Sequence, residues 1–124
     1  MSHQTKKPTI LICDDEEGIR ESFKLILEDH YDLRFATHGL EAIEILKSLS
    51  PAAMLLDIKM PKVHGLEILK QIKQLKPNLP VIIVTGYQSV EMAQEALKLG
   101  AADYIPKPFE SKDILKVIQK TRII

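Results

Sequence analysis

The feature that leaves the fewest folds open is an alternation: five short apolar runs, each followed by a stretch whose apolar residues recur at helical spacing. The runs are Thr9 to Cys13, Asp32 to Ala36, Ala53 to Leu56, Val81 to Val84 and Asp103 to Ile105. The first, third and fourth are almost continuously apolar, the pattern of strands covered on both faces of a parallel sheet. Between and after them, Ile19, Phe23, Ile26 and Leu27 define one helical stripe. Ile43 with Leu46, Leu69 with Ile72, Val90 with Ala93 and Leu97, and Ile114 with Val117 and Ile118 define four more. Pro51, Pro77 and Pro80 fall between elements, Ser89 and Ser111 are placed to cap the fourth and fifth helices, and Gly100 to close the fourth. Strict β-then-α order predicts one doubly wound parallel sheet with right-handed crossovers and helices on both faces. Ligands of such sheets bind beyond the carboxyl ends of the strands.

A chain of 124 residues, 45% hydrophobic and 27% charged, has the size and make-up of one globular domain, here 1–124 with a polar stretch at 1–8. Its 17 basic and 17 acidic side chains cancel, so it lacks the positive excess with which proteins hold a phosphate backbone; no direct nucleic-acid partner is expected. The lone cysteine, Cys13, closes an apolar run and reads as a small buried side chain that permits no internal disulfide, which fits a reducing, cytoplasmic setting. The start of the chain has neither the pattern of a signal peptide nor that of a membrane span.

The chemistry gathers at the strand ends. Asp14 and Asp15 follow the first run, Asp57 the third, Thr85 the fourth and Lys107 the fifth, and a parallel sheet brings them together. Carboxylates meeting at one edge repel one another, and a divalent cation such as magnesium, which takes one or two carboxylates and keeps waters or phosphate oxygens, relieves this. A carboxylate in that setting attacks phosphorus without a general base, so Asp57 is a candidate nucleophile. Lys107 and the Thr85 hydroxyl are placed to meet charge on a transferring group, and Gly86 leaves room for it.

The set Asp14–Asp15, Leu55-Leu56-Asp57-Ile58-Lys59-Met60-Pro61, Thr85-Gly86 and Lys107-Pro108 resembles the signature of bacterial response-regulator receiver domains in number, order and spacing. The resemblance runs from about Thr9 to about Thr121, and it implies a flavodoxin-like sheet of order 2-1-3-4-5. It also implies that Asp15 and Asp57 ligate Mg2+ (or Mn2+) by side chain, Lys59 by its backbone carbonyl, and Asp14 directly or through water. Asp57 would be the phosphoacceptor and Lys107 the grip on the phosphoryl group. The Lys107–Pro108 bond resembles the family's cis peptide, an isomer that proline makes accessible. Thr85 and Tyr104 resemble the family's switch pair, whose rearrangement changes the surface of the fourth helix, fifth strand and fifth helix. The implied partners are a histidine kinase or phosphotransfer protein upstream and an effector downstream; phosphorylation-dependent pairing of two copies through the switched face is an option that the sequence leaves open.

Lys59 and Tyr87 occupy positions at which receivers vary; the bulk of Tyr87 is expected to hinder an attacking water. The runs Thr85 to Glu91 and Leu99 to Tyr104 further resemble receivers joined to ATPase-type transcription activators.

Each residue alone has a plainer reading. Asp14 and Asp15 suit a helix cap, Asp57 and Thr85-Gly86 a turn, Lys107 a solvated charge, and Tyr104 the core. Their joint order outweighs these. His3, His30, His38 and His64 show no ligand spacing and read as surface or packing residues, as do Met54, Met60 and Met92. Two other functions compete. A haloacid-dehalogenase-like phosphohydrolase would carry a second aspartate where Lys59 stands, and a pseudo-receiver that only binds protein would have no need of the full set. The chain therefore reads as a phosphoaspartate switch and not as a metabolic enzyme.

Overall fold

The computed structural model describes residues 7–58, 62–86 and 90–121, with the side chains of 62–64 and 90 outside that description. Lys59, Met60, Tyr87, Ser89 and His3 thus lie outside the described residues, as does the side chain of His64.

Ten elements alternate along the chain: β1 (Thr9–Cys13), α1 (Glu17–Leu27), β2 (Asp32–Ala36), α2 (Gly39–Leu46), β3 (Ala53–Asp57), α3 (Lys62–Leu75), β4 (Val81–Gly86), α4 (Val90–Lys98), β5 (Asp103–Lys107) and α5 (Ser111–Lys120). The strands form one sheet in the order β2-β1-β3-β4-β5, every pair parallel. This is the doubly wound arrangement that the alternation predicts, in the flavodoxin-like order that the family resemblance implies, and its order reverses at β1, between β2 and β3.

Side chains alternate across the sheet, so each strand feeds two cores. On one face Ile10, Ile12, Leu55, Ile82, Val84 and Ile105 pack against Phe23 and Leu27 of α1 and Ile114 and Ile118 of α5. On the other face Leu11, Cys13, Leu56 and Ile83 pack against residues of α2, α3 and α4 that include Leu46, Ile72 and Ala96. That double coverage is why β1, β3 and β4 are apolar without a break. Edge strand β2, by contrast, alternates between exposed and covered residues.

The punctuation is partly as expected. Gly100 takes a left-handed φ of 108° and closes α4, with Ala101 N–H donating to the Ala96 carbonyl at 3.0 Å. At α5 the cap is Glu110 rather than Ser111, which is already helical; the Glu110 N–H donates to the Asp113 carboxylate at 2.9 Å, a reciprocal cap that a serine one position later cannot make. Leu97, counted on the α4 stripe, lies at its margin and is 39% exposed. Three strands also run further than their apolar cores. Asp57 pairs with Val84, Thr85 with Pro106 and Gly86 with Lys107, because the ladder keeps satisfying backbone groups after side-chain hydrophobicity has stopped.

Candidate functional site

The register places the acidic residues. Cys13 stands opposite Leu56, so the next step along both strands brings Asp14 beside Asp57 at the carboxyl edge. Ligand atoms of Asp14, Asp15 and Asp57 all lie within 4.8 Å of one another. Two strands away in the sheet, Lys107 ends β5 and turns back over this edge. Its Nζ lies 3.2 Å from Asp57 Oδ1, 3.5 Å from Asp14 Oδ2 and 3.7 Å from Glu16 Oε1.

The pocket is largely withdrawn from water: the side chains of Asp14 and Asp57 are 1% and 4% exposed. Asp14 holds two tasks at once. Its Oδ1 accepts the backbone N–H of Glu16 at 2.9 Å, fixing the turn into α1, while its Oδ2 is buried with no hydrogen-bond partner and faces the lysine ammonium. The helix-cap reading and the site reading of Asp14 are therefore both present, one on each oxygen. A buried carboxylate oxygen lacking a hydrogen bond, beside two more carboxylates, is a donor set that fits a hard divalent cation.

The remaining residues take these places. Asp15 is at the exposed side of the cluster. Thr85 is buried next to the end of β4, with its hydroxyl donating to the Gly86 carbonyl at a long 3.3 Å, and Gly86 is exposed with open space where a Cβ would be. Tyr104 is half-buried, pairs with Ile83 in register, and packs against the α2–α3–α4 core; by strand alternation it shares its sheet face with Thr85. The Lys107–Pro108 peptide is cis.

Two residues near the site were not singled out from the sequence. Arg20, on α1, donates to the Asp14 carbonyl at 2.8 Å and so holds the β1–α1 turn. Glu16, the N-cap of α1, reaches Lys107. The available signal was the unbroken run Asp14-Asp15-Glu16 with Arg20 one helical turn on, which a reading in terms of capping absorbed. Cys13 lies directly beneath; burial, reinforced by the charges of Asp14 and Asp57, pushes its thiol up to about 12. Beside the acids, a groove of about 510 Å³ runs between α2 and α3, with His38, Leu40 and Ile68 among its walls. His38 serves as the N-cap of α2, its Nδ1 accepting the Glu41 N–H at 3.2 Å. Met54 and Met92 are buried core.

Comparison with known proteins agrees with this geometry. Residues 10–119 match the family model described as the response regulator receiver domain. Among curated proteins, response regulator MprA of Mycobacterium ulcerans is 37% identical over 107 residues, which is 86% of this chain and 46% of that protein. The chain thus spans about half the length of the curated relatives it matches. Among solved structures, NtrX from Brucella abortus superposes with a TM-score of 0.86 at 32% identity, over 92% of this chain and 26% of that one. A CheY-like receiver domain protein from Methanospirillum hungatei gives a TM-score of 0.84 at 36% identity, over 94% of each chain. With the family model covering most of its length and the acidic pocket at the expected sheet edge, the chain belongs to the response regulator receiver domains of two-component signalling.

Proposed function

We propose that this chain is a single receiver unit that accepts one phosphoryl group on Asp57 and reports it through a changed surface at α4, β5 and α5. The observation that carries this reading is the arrangement at the sheet edge: a buried Asp57 carboxylate 3.2 Å from the Lys107 ammonium, beside a buried Asp14 oxygen with no hydrogen-bond partner.

In the reaction an Asp57 oxygen attacks phosphorus, and a new phosphorus–oxygen bond forms as the bond to the donor nitrogen of a phosphohistidine breaks. The nitrogen keeps the electron pair. Lys107 leaves its carboxylate partners for an oxygen of the transferred group and offsets its charge, and the Thr85 hydroxyl turns from its weak contact with the Gly86 carbonyl toward the same group. Tyr104, on the same sheet face, follows into the space vacated. Asp14, Asp15 and Asp57, with the Lys59 carbonyl, would hold Mg2+, which supplies charge neutralisation for the phosphoryl oxygens. The upstream donor is a histidine kinase or phosphotransfer protein. The work is switching rather than metabolic turnover, and a cytoplasmic setting suits it; among the described residues no helix is long and apolar enough to cross a membrane.

Intact-mass measurement after incubation with magnesium and a small phosphodonor tests the proposal. One phosphoryl group should be gained, be removed by hydroxylamine as an acyl phosphate is, and be absent in Asp57→Asn. Continuous release of phosphate would instead point to a hydrolase, and an unchanged mass to a pseudo-receiver.

A further inference from the structure

Arg20 is half-buried near the start of α1, and its side chain reaches back over the turn that precedes its own helix. Its backbone N–H donates to the Glu16 carbonyl at 3.1 Å, while its guanidinium Nη1 donates to the Asp14 carbonyl at 2.8 Å. That carbonyl belongs to the peptide joining Asp14 to Asp15, two of the three residues whose carboxylate oxygens gather within 4.8 Å of one another. From the opposite side the Asp14 N–H donates to the Ala36 carbonyl at the end of β2 at 3.0 Å, and Asp14 Oδ1 accepts the Glu16 N–H at 2.9 Å. The segment that carries both carboxylates is therefore clasped between β2 and α1. Most of the clasp is made by the backbone and by Asp14 itself, but the grip on the Asp14–Asp15 peptide comes from a side chain that a substitution removes.

Resting on the cation-site reading above, we infer that Arg20 is a positioning residue that sets which cation the acidic edge prefers: its grip on the Asp14–Asp15 peptide holds the two carboxylates rigid enough to favour Mg2+ over Ca2+. Magnesium takes oxygen ligands at about 2.1 Å in a near-ideal octahedron, whereas calcium takes them at about 2.4 Å in looser arrangements. Carboxylates held in fixed relation meet the stricter demand without further ordering. A mobile pair must be ordered for magnesium, at an entropic cost, and is less handicapped with the larger ion. Groups that orient ligands without touching the metal are commonly worth about ten- to hundredfold in affinity. The positive charge of Arg20 near the acids has a separate effect, since it repels any cation entering the site. That repulsion acts alike on two divalent ions, and so does a general loss of stability. The ratio of the two affinities therefore isolates the geometric part.

The test is a pair of titrations, with Mg2+ and with Ca2+, of the full chain followed through its backbone amide resonances, on the wild type, Arg20→Met, Arg20→Gln and Ile118→Val. Arg20→Met should weaken Mg2+ about tenfold and Ca2+ about twofold or less, so that the preference for Mg2+ falls about fivefold. Arg20→Gln, which keeps a polar surface but cannot reach the Asp14 carbonyl, should give the same shift and serves in place of Arg20→Met if that variant fails to fold. Ile118→Val trims a buried side chain of α5 far along the chain from the turn, and should lower stability modestly while leaving the ratio at the wild-type value. An equal change for both ions on losing Arg20, or none, overturns the inference while leaving the cation site standing, and so does a ratio shifted as far by Ile118→Val. A wild-type chain whose resonances at the carboxyl edge respond to neither ion overturns the cation-site reading and this inference with it.

Discussion

The body of the sheet and its carboxyl edge are one residue apart and opposite in kind. In β3, Ala53 to Leu56 are buried and apolar, and the next residue is the buried carboxylate Asp57. In β4, Val81 to Val84 are buried and apolar, and Thr85 follows. The body gains free energy from every side chain it removes from water. The edge loses it, since like charges are brought together out of water, with Lys107 among the described residues to offset them. The contrast teaches that the pocket is a cost carried by the strands beneath it, and that losing a body side chain and losing an edge carboxylate should change stability with opposite signs.

The largest effect should come from the body. Leu55→Ala, two residues before Asp57, removes a buried side chain packed between α1 and α5 and is expected to cost about 3 kcal/mol in urea unfolding. A loss below about 1 kcal/mol would mean that the body does not carry the edge. Next is Lys107→Met, which leaves Asp14 and Asp57 facing each other without the ammonium. In the presence of a chelator it should lower stability by about 2 kcal/mol, and much of that loss should return with magnesium. If magnesium returned none of it, the edge would not be a cation site.

Smaller again, and of opposite sign, is Asp57→Asn: taking one charge from the cluster should raise the unfolding free energy without metal by about 1 kcal/mol, and shrink the further rise on adding magnesium. A variant less stable than the wild type without metal would contradict the account of the edge as a net cost.

The smallest change belongs to an exposed charge remote from this conflict. The Thr37 N–H and hydroxyl donate to Glu41 at 2.7 and 2.9 Å and hold its carboxyl below the ordinary 4.5. A lowered carboxyl value stabilises the fold above 4.5, and that contribution is lost as pH falls through the folded value. Glu41→Gln should therefore differ from the wild type slightly at neutral pH and not at all in strong acid, as followed by melting curves across that range.

The same division explains what could be read from the chain itself. Body residues announce themselves: the starts of all five strands coincide with the predicted runs, and in β1, β3 and β4 burial on both faces demands apolar side chains at consecutive positions. The edge hides. Asp57, Thr85, Gly86, Pro106 and Lys107 have turn or surface character, yet they continue the ladder, and only the pairing of a neighbouring strand reveals it. Asp14, Asp57 and Lys107 were found as a set, by their order at successive strand ends, where each alone would pass for a cap, a turn or a solvated charge. Glu16 and Arg20 escaped because a charged residue opening a helix has an ordinary local explanation, and the reach of Glu16 to Lys107 spans nearly the whole domain. Ser111 misled for the converse reason: serine is a good cap by type, but the reciprocal partner Asp113 lies at the right spacing for Glu110.

The parallel register has a further consequence for a chain emerging from a ribosome. Asp14 is made early and Lys107 late, and a pocket assembled from strand ends so far apart along the chain has no complete form until β5 has docked and brought the Lys107 ammonium to Asp57. If Asp57 is the phosphoacceptor proposed above, nascent or damaged copies are mute, and a message can be written only on molecules whose last strand is already in place.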